Sequence, residues 1–136
     1  MNNALVPYLY SVLRLVPDIE RGESINIGLV VFCRPQRFLR SDWLLDAGRI
    51  NALSSGVNVD LVASQLATYA QIAAGDAAGG PVAALDSGER FHWLTNVHNT
   101  IIQPDSVHTG LTTDAPATFA RLFARLVASP SRPPVE

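Results

Sequence analysis

Three histidines stand within one polar stretch of the chain, RFHWLTNVHNTIIQPDSVHTG, at His92, His98 and His108. Imidazole nitrogens are common zinc ligands, and three that converged could form a catalytic metal site. Their spacings of six and ten residues match no compact zinc motif such as HExxH. We therefore predict no metal and no cofactor. Of the three, His108 is the candidate for a general acid or base.

A second group of candidates centres on Arg14, which interrupts the apolar segment YLYSVLRLV. A guanidinium in such a strand needs partners or water. In a hairpin with the next apolar segment, Arg14 lies opposite Asn26, and Gly28 lies opposite Val12. One hypothesis is an internal hydrogen-bonded pair that fixes the register, with Glu23 as a nearby carboxylate. The other is an anion pocket lined by Arg14, Asn26 and Arg90.

Several function classes are excluded by missing motifs and by charge. The chain has no GxSxG elbow, P-loop or GxGxxG turn, which argues against an α/β-hydrolase and against a dinucleotide enzyme. Its net charge is −2 and it contains no lysine, so binding of nucleic acid is not predicted. We interpret the arginines of CRPQRFLR, at 34, 37 and 40, as solvated. The single cysteine, Cys33, is predicted to be a packed thiol in a reducing compartment, by default the cytoplasm.

The elements that must position these residues can be read from the pattern. Residues 8–16, 25–33 and 38–46 are predicted strands that form a meander. A helix follows, capped by Asn58 or Asp60 and ended by Gly75, because residues 62, 66, 69 and 73 form one apolar stripe. Residues 73–89 read as a connector, and 90–94 with 99–103 as a second hairpin. Asp114 and Pro116 begin the last helix.

This order predicts a small single α+β domain of type β-β-β-α-β-β-α over residues 1–128, with residues 129–136 as a Pro-rich tail. We expect an antiparallel or mixed sheet of about five strands, with two helices packed on one face. No apolar run is long enough to cross a membrane. In the 90–94 strand, burial of Phe91 and Trp93 would turn His92 away from the core.

The segments YSVLRLVPDIERGESINIGLVVF and ERFHWLTNVHNTIIQPDSVHTGL together resemble a bacterial family catalogued as domain of unknown function 3037. The resemblance covers about residues 8–127. It implies little about activity, and our candidates for binding a ligand or partner are the polar residues Arg14, Glu23, Asn26, Arg90, His98, Gln103 and His108. His98, in TNVHNT, stands where the family has an arginine. If that arginine binds a ligand, this chain would bind it weakly, or only with His98 protonated.

Similar proteins are often encoded beside a HipA-like kinase protein, so the resemblance implies a companion role. Our first hypothesis is a non-enzymatic interaction or regulatory module that binds a protein partner, with a homo-oligomer through a sheet edge also open. The alternative is a small enzyme or ligand-binding domain for a phosphorylated or carboxylated molecule. In that case His108 would act as acid or base, and Arg14 and Arg90 would hold the anion.

If the histidines do not share a metal ion, zinc and EDTA should give the same urea midpoint of unfolding. His92→Ala should then change the free energy of unfolding by no more than about 0.5 kcal/mol. His108→Ala should remove about 1 kcal/mol, the value of one hydrogen bond. A zinc-dependent stabilisation that both substitutions abolish would contradict this prediction.

Overall fold

The structure is a computed structural model that describes residues 4–96 and 101–128. Its strands are β1 (Val6–Leu15), β2 (Ile25–Cys33), β3 (Phe38–Trp43), β4 (Ile102–Pro104) and β5 (His108–Thr112). Its α-helices are α1 (Ala47–Leu53), α2 (Val59–Ala74), α3 (Ser87–Thr95) and α4 (Ala115–Phe123), and a π-helical turn (Ala124–Ala128) follows α4. The predicted small α+β domain with a five-stranded antiparallel sheet is confirmed.

Strand β1 is the centre of the sheet because it pairs along both edges. On one side it pairs with β2, which in turn pairs with β3. On the other side its first half pairs with β5 and its second half with β4. Pro104 has no N–H to donate, and β4 ends there, at the edge of the sheet, as the sequence predicts.

The helices cover both faces of this sheet. One core cluster joins Leu13 and Leu15 of β1 to side chains of α1, α2 and α3. The other joins Tyr8 and Val12 of β1 to α4. Neighbouring residues of a strand point to opposite faces, so these clusters lie on opposite sides of β1. The prediction that the helices pack on one face is therefore wrong.

Helix α3 replaces the strand that we predicted for residues 90–94. Asp86 caps this helix, since its carboxylate accepts the Glu89 N–H at 2.8 Å. Phe91 and Leu94 are buried three residues apart, which is helical spacing. The expected hairpin of 90–94 with 99–103 is thus absent, and Ile102–Pro104 pairs with β1 instead. Residues 99 and 100 lie outside the described residues.

The long helix α2 follows its predicted limits. The Asn58 side chain accepts the Leu61 N–H, and Gly75 ends the helix with a left-handed φ of 72°. Helix α1, capped by Asp46, was not predicted because Ile50 is its one fully buried residue. In the described part of the chain, no helix is long and apolar enough to cross a membrane.

Gly110 of β5 lies beneath the buried ring of Tyr8, its partner on β1. A Cβ at this glycine would lie 2.5 Å from the Tyr8 ring atoms. We expect Gly110→Ala to lower the free energy of unfolding by about 1–3 kcal/mol, because the ring must move out of the core. In a Tyr8→Leu background the same change should cost less, which urea denaturation of the double-mutant cycle would measure.

Gly56→Ala is the matched control, since nothing lies within 4 Å of a Cβ there. It should change stability by no more than about 0.5 kcal/mol. An equal loss from both glycine substitutions would contradict the proposed role of the Tyr8 ring.

Candidate functional site

Arg14 projects from β1 on the face that α4 covers, opposite to Leu13 and Leu15. Its Nη2 lies 2.5 Å from Oδ1 of Asp105, and the two side chains are 38% and 33% exposed. The pair is therefore half-buried at the edge of the domain. Sequence reasoning did not identify Asp105, because only the pairing of β1 with β4 brings it beside Arg14.

Asp105 occupies the break between β4 and β5, where its backbone is also fixed. Its N–H donates to the carbonyl of Val12 at 2.8 Å, and its own carbonyl accepts the Ser11 hydroxyl at 2.8 Å. Pro104 pairs with Leu13 and His108 with Tyr10, so the three residues 105–107 stand opposite the two residues Ser11 and Val12. Such an extra residue is a β-bulge, which redirects side chains at a sheet edge.

The surroundings of Asp105 favour its ionised form. The hydrogen bond from Arg14 holds the pKa of Asp105 below its ordinary value; the Ser106 N–H and the charges of Arg14 and His108 act in the same direction. Partial burial opposes them. The carboxylate is thus a fixed negative charge at neutral pH, already paired with a cation.

His108 begins β5 on the same face of the sheet. Its ring lies 5.2 Å from the ring of Tyr10, centre to centre, and the side chain is exposed. Gln103 of β4 pairs with Arg14 and so belongs to the same surface. The structure therefore brings together three of the predicted candidates, Arg14, Gln103 and His108, and adds Asp105.

Asn26 has a structural partner on this face. The predicted pairing of Arg14 with Asn26 is confirmed, but Gly28 pairs with Leu13 and not with Val12, because Ile27 is an extra residue in β2. The Asn26 side chain donates to the carbonyl of Leu126 at 3.0 Å. This hydrogen bond connects the π-helical turn after α4 to strand β2 of the sheet.

Glu23 lies away from Arg14, in the turn that joins β1 to β2. Its carboxylate pairs with the exposed Arg21 at 2.6 Å, and this hydrogen bond lowers the pKa of Glu23. Both residues line a groove of about 670 Å³ beside Ser54 and Ile101. The carboxylate beside Arg14 is Asp105, so the hypothesis that assigned Glu23 to this place is wrong.

Arg90 lies on the other face, in α3. Its Nη1 donates to the carbonyls of Ile72 and Ala73, and its Nε donates to that of Leu85. A cation on the last carbonyls of a helix satisfies their unpaired acceptors. A pocket lined jointly by Arg14, Asn26 and Arg90 is therefore not formed.

The remaining candidates are the other two histidines. His98 lies outside the described residues, so its role stays a prediction. His92 is exposed on α3 and hydrogen-bonds to Asn96 at 3.0 Å. Within residues 4–96 and 101–128, no group of three His, Cys, Asp or Glu side chains is placed to hold a metal ion.

The ion pair should make stability depend on pH. Asp105→Asn should lower the free energy of unfolding at pH 7 by about 1 kcal/mol, a charge-assisted hydrogen bond reduced for partial exposure. A carboxyl with a lowered native pKa stabilises above its unfolded pKa of about 4, and this contribution is lost as the pH falls through the native value. The gap between variant and wild type should therefore close in acid, as urea titrations from pH 7 to about pH 2 would show.

Glu23→Gln removes a carboxylate from the exposed pair and serves as the control. It should change the urea midpoint less than Asp105→Asn does at pH 7, because solvent screens this exposed pair. If Asp105→Asn had no larger effect than this control at pH 7, the Arg14–Asp105 pair would not hold this edge of the sheet.

A family model covers most of the chain, including the strands that carry these residues. No match was found among curated proteins or among solved structures. A family model described as "Protein of unknown function (DUF3037)" matches residues 10–127, which include Arg14, Gln103 and His108. The chain therefore belongs to the DUF3037 family.

Proposed function

We propose that this protein is a non-enzymatic interaction module that binds a protein partner at the free edge of β5. We further propose a HipA-like kinase protein as the partner and the cytoplasm as the place of the complex. That choice of partner rests only on the family resemblance described above. The observation that carries the binding mode is the exposed, uncharged edge strand β5.

Strand β5 pairs with β1 along one side, and no other described strand pairs with its outer side. An open edge presents unpaired N–H and C=O groups that an extended segment of another protein can bind. Natural edges are usually blocked by lysine, proline or inward-pointing charge. The β5 sequence, HTGLT, contains no Lys, Arg, Asp, Glu or Pro.

Apolar side chains extend this edge on the face away from α4. Leu111 pairs with Pro7, and both are exposed. Leu111 and Leu5 are each 64% exposed, the highest values among the exposed large apolar side chains. Exposed apolar groups that are rimmed by polar residues are typical of interaction surfaces. His108, Asp105 and Arg14 supply a polar rim at the other end of β5.

The alternative, an enzyme or ligand site that uses Arg14 and Arg90 together, has less support. Arg14 is paired with Asp105, and Arg90 binds carbonyls on the opposite face. These two cations cannot hold one anion. Neither of these two arginines is therefore free to orient a substrate beside His108.

The proposal is tested by co-expression of the chain with the HipA-like kinase protein of the same bacterium, followed by size-exclusion chromatography. We expect a 1:1 complex with the wild type, and its loss with Leu111→Asp, because a charge on the edge strand opposes burial. Leu61→Asp is the matched control, since Leu61 is 55% exposed on α2, and this variant should keep the complex.

Two results would overturn the proposal. One is a wild-type chain that elutes without the kinase protein at micromolar concentrations. The other is equal loss of the complex in Leu61→Asp and Leu111→Asp. A dimer of the chain that Leu111→Asp dissociates, with no binding of the kinase protein, would assign this edge to a second copy instead.

A further inference from the structure

A second polar cleft lies on the other side of the sheet, where the β2–β3 connection meets the start of α3. It has a volume of about 500 Å³, and its polar lining consists of Arg34, Arg37, Arg90 and Ser87. No carboxylate is among its lining residues. Three of the ten arginines of a chain with net charge −2 thus surround one cleft. Like charges at three guanidinium groups repel one another, and no carboxylate within the cleft lining offsets this repulsion.

Arg34 and Arg37 have no ion-pair partner in the described part of the chain, where the ion pairs are Arg14–Asp105 and Arg21–Glu23. The Arg34 guanidinium lies over the Phe32 ring, 5.2 Å from its centre, and contacts the first turn of α3 near Gly88. Asp86 of this turn caps α3, and its pKa is lowered mainly by the hydrogen bond from the Glu89 N–H, with a smaller contribution from the charge of Arg34. Arg34 is thus held in position without a close ion pair to a described residue.

Arg37 occupies a backbone position that favours glycine. Its φ is 51°, which makes it the non-glycine residue with positive φ in the described chain. A left-handed conformation is unfavourable for a long side chain, and such outliers concentrate at functional sites. The exposed guanidinium of Arg37 supplies charge to the cleft at a position where glycine would be less strained.

Arg90 contributes a guanidinium that is only partly used. Its Nε and Nη1 groups bind three carbonyls, which fixes the plane of the side chain at the end of α2. Its Nη2 group has no protein partner among the described residues, which leaves two N–H donors. The Ser87 hydroxyl lies beside it and can donate a further hydrogen bond to an anion.

We propose that the cleft of Arg34, Arg37 and Arg90 is a binding site for a phosphomonoester. A phosphomonoester carries a charge of about −1.5 to −2 at pH 7 and has three acceptor oxygens. A planar guanidinium group can donate two parallel hydrogen bonds to two oxygens of a phosphate. A carboxylate has only two oxygens, so it would leave donors of the three arginines unused. The cleft is within the range of about 300–1,000 Å³ typical of small-ligand pockets, so it has room for an organic group beside the phosphate.

Arg40 provides a matched control from the same stretch of sequence. Its guanidinium lies over the rings of Phe38 and Phe119, at 5.0 and 5.3 Å from their centres. Phe119 belongs to α4, so Arg40 lies on the opposite face of the sheet from the cleft. Arg40→Gln changes the net charge by the same amount as Arg34→Gln but leaves the cleft intact.

The test is calorimetric titration of the full chain with phenyl phosphate, at constant ionic strength. We expect Arg34→Gln and Arg37→Gly each to weaken binding by about tenfold or more, since each removes a charge-assisted contact. Arg37→Gly also relieves the positive φ, so lost binding in this variant cannot be attributed to unfolding. Arg40→Gln should change the dissociation constant by less than about twofold.

Further titrations identify the source of the phosphate. If phenyl phosphate and a phosphoserine peptide bind with similar affinity, the cleft recognises the phosphate group itself. Tighter binding of phenyl phosphate would indicate a small molecule as the ligand, and tighter binding of the peptide would indicate a phosphorylated protein. All three results support the proposal. No binding of either probe at about 10 mM, an equal loss in Arg40→Gln, or tighter binding of a short oligonucleotide would overturn it. Leu111→Asp should not affect these titrations, so failure here is separate from failure at the β5 edge.

Discussion

The pairing of β1 along both edges is the constraint on which the rest of the molecule depends. β1 must fit β2 on one side and two successive short strands on the other. The outer strand breaks at Asp105, and three contacts hold this break to β1, from Ser11, Val12 and Arg14. Because a shift of one residue would exchange the two faces of β1, these contacts also keep each core cluster on its own side of the sheet.

The same constraint separates the polar groups into two sites. Residues of β1 that face α4 place Arg14 beside Asp105 and Tyr10 beside His108. The opposite face carries α2 and α3, whose ends meet at Arg90. A single anion therefore cannot bridge Arg14 and Arg90. We therefore place the proposed phosphomonoester at Arg90 with Arg34 and Arg37, although the sequence favoured a solvated role for the last two.

Helix caps and apolar spacing within a short segment predicted the helices that they bound. The prediction failed where a segment carried both a helix pattern and a strand pattern. The caps of α2, Asn58 and Gly75, could be read directly. In α3 the alternation of Phe91 and Trp93 suggested a strand, whereas the Asp86–Glu89 capping pair, which was present in the sequence, is typical of a helix start.

Contacts between distant segments are harder to predict. Ser11 and Asp105 are separated by 94 residues, and their contact depends on which strand pairs with β1. The sequence predicted that Arg14 needs a partner, but the identity of that partner follows only from strand order.

Several features of the domain are unfavourable for the isolated chain. Arg37 holds a positive φ, Arg34 has no ion pair with a described residue, and β5 leaves an apolar edge without charge beside exposed Leu111. Each would be easy to improve by substitution, since surface positions tolerate change within about 0.5 kcal/mol. Stability of the isolated chain therefore does not account for them. An anion in the cleft would neutralise the charges of Arg34 and Arg37, and a partner strand would cover the β5 edge. The features that folding leaves unexplained are thus those that the two proposed bound states would explain.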